Sequence, residues 1–186
     1  MSDLSQAFWH LAEVLEGLGV EYAVMGGIAV RVYGIPRPTY DIDFTAAVPR
    51  DRLPELFRLV EKLGYTEPEV SAQGWVDQVA GMPVVKLRLD LAEHGVDVDI
   101  FLAESAFQRS LLARRRRERI GDSSVWIVAP EDLILLKLLA YRPRDLADIA
   151  DVLFTQGQLD EPYMRRWAAQ IGVLDRLEQL LEEGGR

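Results

Sequence analysis

The sequence predicts an α/β (α+β) fold, a mixed sheet flanked by helices and followed by a C-terminal helical segment. Three observations carry this. Leu4, Phe8, Leu11, Leu15 and Leu18 fall at helical spacing just before Val20–Val24, a short apolar run of strand character. Between Met82 and Leu102 apolar and polar residues alternate with period two, the mark of a half-buried hairpin. After Pro130 the alternation stops and the pattern is helical to the end. The chain divides accordingly near Ala129, into a mixed core over 1–129 and a helical subdomain over 130–186.

The first helix has Ser2 or Asp3 as its N-cap and Gly17 or Gly19 at its exit. A strand runs to Met25 and Gly26-Gly27 breaks it. Ile28 to Tyr33 has the apolar density of one or two helical turns, and Gly34-Ile35-Pro36-Arg37-Pro38 must be loop. Asp41-Ile42-Asp43-Phe44 follows as a strand. Asp51 to Leu63 is a second amphipathic helix, with Leu53, Leu56, Phe57, Val60 and Leu63 on its apolar side. The structure of Thr66 to Ala80 stays open.

In the hairpin, a tight turn at Glu93-His94 sets Leu91 opposite Val96, Leu89 opposite Val98 and Leu87 opposite Ile100. The other face then has Asp90 opposite Asp97 and Arg88 opposite Asp99. A helix is expected from about Glu104 to Arg119, with Arg114 to Arg117 as its solvated face, and then a strand at Val125–Val128. Pro130 at N1, with Glu131 and Asp132 in the first turn, starts the helix that runs to Tyr141. Arg144–Phe154, Glu161–Ile171 and Leu174–Leu181 are the remaining helices.

The composition, 49% hydrophobic and 27% charged over 186 residues, is that of a folded protein. No apolar run approaches the roughly 20 residues of a membrane span, and the N-terminus lacks the basic start and apolar core of a signal peptide. A cytoplasmic enzyme with no membrane contact is therefore expected. The absence of cysteine removes disulfides, thiolate metal sites and thiol nucleophiles. A net charge of −9 argues against non-specific coating of nucleic acid, though clustered arginines allow a local basic groove.

The chemistry concentrates between Met25 and Asp43. Side chains alternate along a strand, so the carboxylates of Asp41 and Asp43 point the same way and repel one another. A divalent cation relieves that repulsion, and Mg²⁺ favours one or two carboxylates plus substrate phosphates. The paired glycines permit close backbone approach, and the helix after them offers free N–H groups to a phosphate.

Strand, Gly-Gly, helix, loop and D-x-D in that order, with thirteen residues between Gly27 and Asp41, resembles the signature of the polymerase-β-like nucleotidyltransferase superfamily. The R-P-T before D-I-D looks like the R-x-T-x-D-I-D form of the abortive-infection (AbiEii-like) toxin nucleotidyltransferases and of some aminoglycoside and lincosamide nucleotidyltransferases. The segment P-E-D-L-I-L-L-K-L-L-A-Y-R-P-R-D-L-A-D resembles the later motifs of the AbiEii-like group. Many relatives have Ser where this chain has Gly27.

The resemblance implies a nucleotidyltransferase-type sheet and transfer of NMP from an NTP, ATP included, to a hydroxyl. It implies Asp41, Asp43 and a third carboxylate as catalytic residues and as ligands of Mg²⁺ or Mn²⁺. Asp99 is chosen for that third position because V-D-I-F followed by A-E-S-A-F looks like the family's strand leading into a helix; Asp97 and Asp90 are the alternatives. Gly26, Gly27, Arg37, Thr39 and Lys137 are the expected nucleotide-binding residues. Lys137 is the only charge in nine residues, so it must reach either a triphosphate or the carboxylate of Asp145 or Asp148. Arg142 and Arg144 are phosphate contacts or a solvated turn, and His10 and His94 have no assigned role.

The implied acceptor is a macromolecule, tRNA or protein, and an antitoxin partner follows from the toxin-like motifs. A small-molecule nucleotidyltransferase and a catalytically silent nucleotide-binding homologue are the rival readings.

Overall fold

The structure, a computed structural model, describes residues 3–66, 75–76, 81–90 and 95–184. Helix α1 (Asp3–Gly17) leads into β1 (Tyr22–Met25), α2 (Gly26–Tyr33) and β2 (Asp41–Ala46). A 3₁₀ turn at Arg50–Arg52 opens α3 (Leu53–Glu61), and β3 (Tyr65–Thr66), β4 (Trp75–Val76), β5 (Pro83–Asp90) and β6 (Gly95–Leu102) follow. Then come α4 (Ala106–Arg114), β7 (Arg116–Ile120), β8 (Ser123–Ile127), α5 (Pro130–Ala140), α6 (Pro143–Gln156), α7 (Glu161–Gln170) and α8 (Leu174–Gly184).

The strands form one mixed sheet in the order β3-β5-β6-β2-β1-β8-β7, with β4 on β5. β2 lies between antiparallel β1 and parallel β6, so the strand bearing Asp41 and Asp43 is central. Ile42, Phe44, Val98 and Ile100 are wholly buried, and Phe44 stacks on Phe8 of α1 at 6.1 Å between ring centroids. Alternation sends the intervening residues of β2 and β6, the aspartates, to the opposite face. There α5 is packed against α2, α6 and α7. No helix among the described residues is long and apolar enough to cross a membrane.

Two expectations are corrected. The hairpin is shifted by two residues: Leu89 faces Val96, Leu87 faces Val98, Arg88 faces Asp97 and Lys86 faces Asp99. The shift preserves which residues share a face, because the side-chain period is two. It also removes the like-charge pair Asp90–Asp97 and places opposite charges across the ladder, which stabilises it. Gly95 favours this register: a Cβ there would lie 2.7 Å from Nε of Arg88, whose guanidinium covers the glycine and pairs with Asp90 and Asp97. The expected turn at Glu93-His94, and Leu91, lie outside the described residues, as does most of 66–80.

The helix expected to reach Arg119 ends at Arg114, and Arg116–Ile120 forms an edge strand. Gly121, at φ 62°, turns this strand into β8. Four arginines in helical company read as helix by propensity. They serve here partly as the charged residues that blunt a sheet edge. Arg114 is no solvated residue either, for it pairs with Glu131 and with fully buried Asp132.

Candidate active site

The site is built where β1 gives way to α2. Gly26 takes a positive φ of 61°, and a Cβ on it would lie 2.7 Å from Cγ of Asp43. Only glycine satisfies both conditions, because L-residues avoid that backbone region and the carboxylate occupies the space. Met25, the N-cap residue of α2, makes no side-chain hydrogen bond to the first N–H groups of the helix. The helix N-terminus and the Asp43 carboxylate are thereby brought against one another.

Asp43 faces Met25 on β1 and Asp99 on β6, and Asp41 faces Asp97. Of the three candidates for third carboxylate, Asp99 alone joins Asp41 and Asp43 in lining the cleft between the sheet and helices α5 and α6. Asp97 and Asp90 turn outward to Arg88, at 2.7 and 2.8 Å. The Asp99 carboxylate accepts a hydrogen bond from Nζ of Lys86 at 3.1 Å.

The carboxylates are electrostatically crowded. Burial, then Asp41, then Asp99 push the Asp43 carboxyl up to about 7, against the opposing pull of Lys137 and Arg142. Among the described residues, no group of three or more His, Asp or Glu side chains is arranged to hold a metal ion as it stands. The donor chemistry nevertheless fits Mg²⁺ or Mn²⁺. The donors are all hard oxygen, and the crowding that raises Asp43 is what a divalent cation would relieve.

The opposite wall is basic and internally neutralised. Lys137 is buried, and its ammonium donates to Asp148 at 2.6 Å and to Asp145 at 3.1 Å. Arg37 grips Asp148 through Nε and Nη2, at 2.6 and 2.8 Å, tying the α2–β2 loop to α6. Arg142 donates from Nε to Asp145 at 2.7 Å. Burial raises both aspartates, but these cations outweigh it and hold them below the usual carboxylate range.

Of the expected nucleotide-binding residues, Gly26 and Lys137 line the cleft, as do Arg142 and Arg144. Lys137 pairs with Asp145 and Asp148 at once. Arg37 is spent on Asp148, and Thr39 donates to Oδ1 of Asp41 at 2.9 Å. Sequence reasoning missed Lys86 as the partner of Asp99, and the Arg114–Glu131–Asp132 cluster. Opposite charges across the hairpin were the available signal for the first.

Adjacent carboxylates on parallel strands, set against a glycine-led helix start, are an arrangement suited to nucleotidyl transfer, and the protein is a nucleotidyltransferase. Residues 10–170 match the family model described as nucleotidyl transferase AbiEii toxin, Type IV TA system, and the chain belongs to that family. No curated protein matches it. Among solved structures it is similar to an antigenic nucleotidyltransferase-like protein from Paracoccidioides brasiliensis. That protein is 20% identical, with a TM-score of 0.57, over 97% of this chain and 93% of that one. It is also similar to the antibiotic-resistance factor ANT(2'')-Ia, at 15% identity and TM-score 0.60, over 96% of this chain and 99% of that one. The lincosamide antibiotic adenylyltransferase LnuA is 17% identical, with TM-score 0.52, over 79% and 94% of the two chains. At such identities the likeness is one of fold.

Proposed function

We propose that the protein transfers a nucleoside monophosphate from an NTP to a hydroxyl of a macromolecular acceptor, tRNA or protein, as the toxin of a toxin–antitoxin pair. The observation that carries the chemistry is the row Asp41, Asp43 and Asp99 at the mouth of the glycine turn. A bound Mg²⁺ or Mn²⁺, held by these three carboxylates, would neutralise triphosphate charge and polarise the α-phosphorus.

The rest is the work of the chain's own residues. The Gly26-Gly27 helix start presents N–H groups to phosphate. The acceptor oxygen attacks the α-phosphorus, the α–β phosphoanhydride bond breaks, and pyrophosphate leaves. The hydroxyl proton passes to Asp99. Lys137 sits across the cleft paired with Asp145 and Asp148, and its ammonium meets the leaving pyrophosphate by exchanging one of those carboxylates for a phosphate oxygen. The helical subdomain over 130–186 supplies this wall.

The toxin family supports a macromolecular acceptor, as does Arg144 at the cleft. Incubation with Mg²⁺ and each labelled NTP, alongside total tRNA, cell protein, aminoglycosides and lincosamides, tests the assignment. Label on tRNA or protein is expected. Label on a drug and never on RNA or protein would overturn the acceptor while leaving the chemistry standing.

A further inference from the structure

Gly26 and Gly27 are neighbours with different reasons to be glycine. Gly26 has a positive φ; Gly27 does not, so its backbone tolerates any L-residue. What excludes a side chain at 27 is Thr39: a Cβ there would lie 2.9 Å from the Thr39 Cβ and closer still to its hydroxyl. Thr39 therefore fills the space beside the second residue of α2. From there its hydroxyl donates to Oδ1 of Asp41 at 2.9 Å; the alternative acceptor, the Asp41 carbonyl, is 3.4 Å away.

A β-branched side chain is stiff at χ1, and packing against a bare Cα narrows it further. One rotamer of Thr39 thus fixes one oxygen of Asp41. We propose that Thr39 is a positioning residue that sets the Asp41 carboxylate for its work, and that Gly27 is glycine to make room for it. This rests on the reading of Asp41 as a functional carboxylate, and it moves Thr39 from contact with nucleotide to action through Asp41. A carboxylate with one oxygen pinned has lost most of its rotamer freedom before any ligand arrives, so ligand binding costs less ordering entropy.

Two measurements on the full chain test the pair. The first is a thermal-melting cycle in metal-free buffer. Gly27→Ala should lower the melting temperature, against the usual gain when alanine replaces glycine in a helix. Adding Thr39→Gly should return part of that loss. If Gly27→Ala melts at or above wild type, Thr39 does not fill the space and the proposal falls.

The second is Mn²⁺ affinity by electron paramagnetic resonance, with NTP kcat and KM beside it. Thr39→Val keeps the shape and loses the hydroxyl; it should weaken Mn²⁺ roughly three- to tenfold and lower kcat more than it raises KM. Thr39→Ser should restore both. Wild-type Mn²⁺ affinity in Thr39→Val, or a change in KM alone, would make Thr39 a nucleotide contact and overturn its positioning role. If wild type itself bound no Mn²⁺, the metal reading of Asp41 would fail and the positioning role with it. The melting cycle would still report on Gly27 and Thr39.

Discussion

At the residue scale the site turns on Asp43, whose carboxyl is pushed up to about 7 by burial and by Asp41 and Asp99. Between the ordinary aspartate range near 4 and a pH of about 7, the folded protein binds more protons at this group than the unfolded chain does. The Asp43 contribution to stability without metal therefore falls as pH rises through that window and is flat above it. Asp43→Asn should then make the apo protein more stable at pH 8, by an amount on the order of 1–4 kcal/mol in urea unfolding, and lose that advantage near pH 4. An Asp43→Asn variant no more stable than wild type at pH 8 would contradict the crowding. Gly26→Ala should be far more damaging, because a methyl group there meets the Asp43 carboxylate at a positive φ. Its loss of metal-dependent NTP binding should exceed its loss of melting temperature. The D-x-D pair and both glycines were legible in the sequence because strand alternation and turn chemistry act locally. That Gly27 answers to Thr39 was not, since the two meet only when the α2–β2 loop folds back.

At the scale of elements, two salt-bridge clusters join the helices after Pro130 to what precedes them. One is Asp148 with Arg37 and Lys137, at the cleft. The other is Arg114, which reaches Glu131 at 3.1 Å and Asp132 at 3.5 Å while its guanidinium lies 3.8 Å over the Tyr163 ring. Removing the cation leaves two buried carboxylates without it, so Arg114→Met should cost roughly 3–5 kcal/mol in urea unfolding. Arg114→Lys should recover only part, because an ammonium cannot span both acids and stack on the ring. Equal stability of Arg114→Met and wild type would mean the cluster is not a clasp. The helices after Pro130 were readable from apolar periodicity, and the start of the first from proline at N1; the second begins at Pro143, one residue before the expected Arg144. Periodicity also gave the faces of the β5–β6 hairpin. It could not give the register, which a shift of two leaves unchanged in pattern; charge pairing of Lys86 with Asp99 and Arg88 with Asp97 decides it. The β7 strand was missed because arginine favours helices locally, whereas edge position in a sheet is a tertiary fact.

At the scale of the whole molecule, the chain carries a net charge of −9 yet is proposed to act on a polyanion. Much of its positive charge near the cleft is spent: Lys137, Arg37 and Arg142 all hold carboxylates of the same wall. Few phosphates can then be neutralised by the protein alone. tRNA affinity should fall with salt by a shallow slope, about 0.7 in log affinity per single-stranded phosphate contacted for each tenfold rise, with roughly one to three contacts in all. A filter-binding series between low and physiological salt reads that slope, and a steep one would place a basic surface elsewhere on the protein.

The central claim is that Asp41 and Asp43 bind a divalent cation for the NTP. Calorimetric titration of NTP with and without Mg²⁺, into wild type, Asp41→Asn and Asp43→Asn, tests it most directly. Mg²⁺-dependent binding is expected in wild type and its loss in both variants, with melting temperatures in metal-free buffer no lower than wild type. Undiminished Mg²⁺-dependent binding in both variants would contradict it.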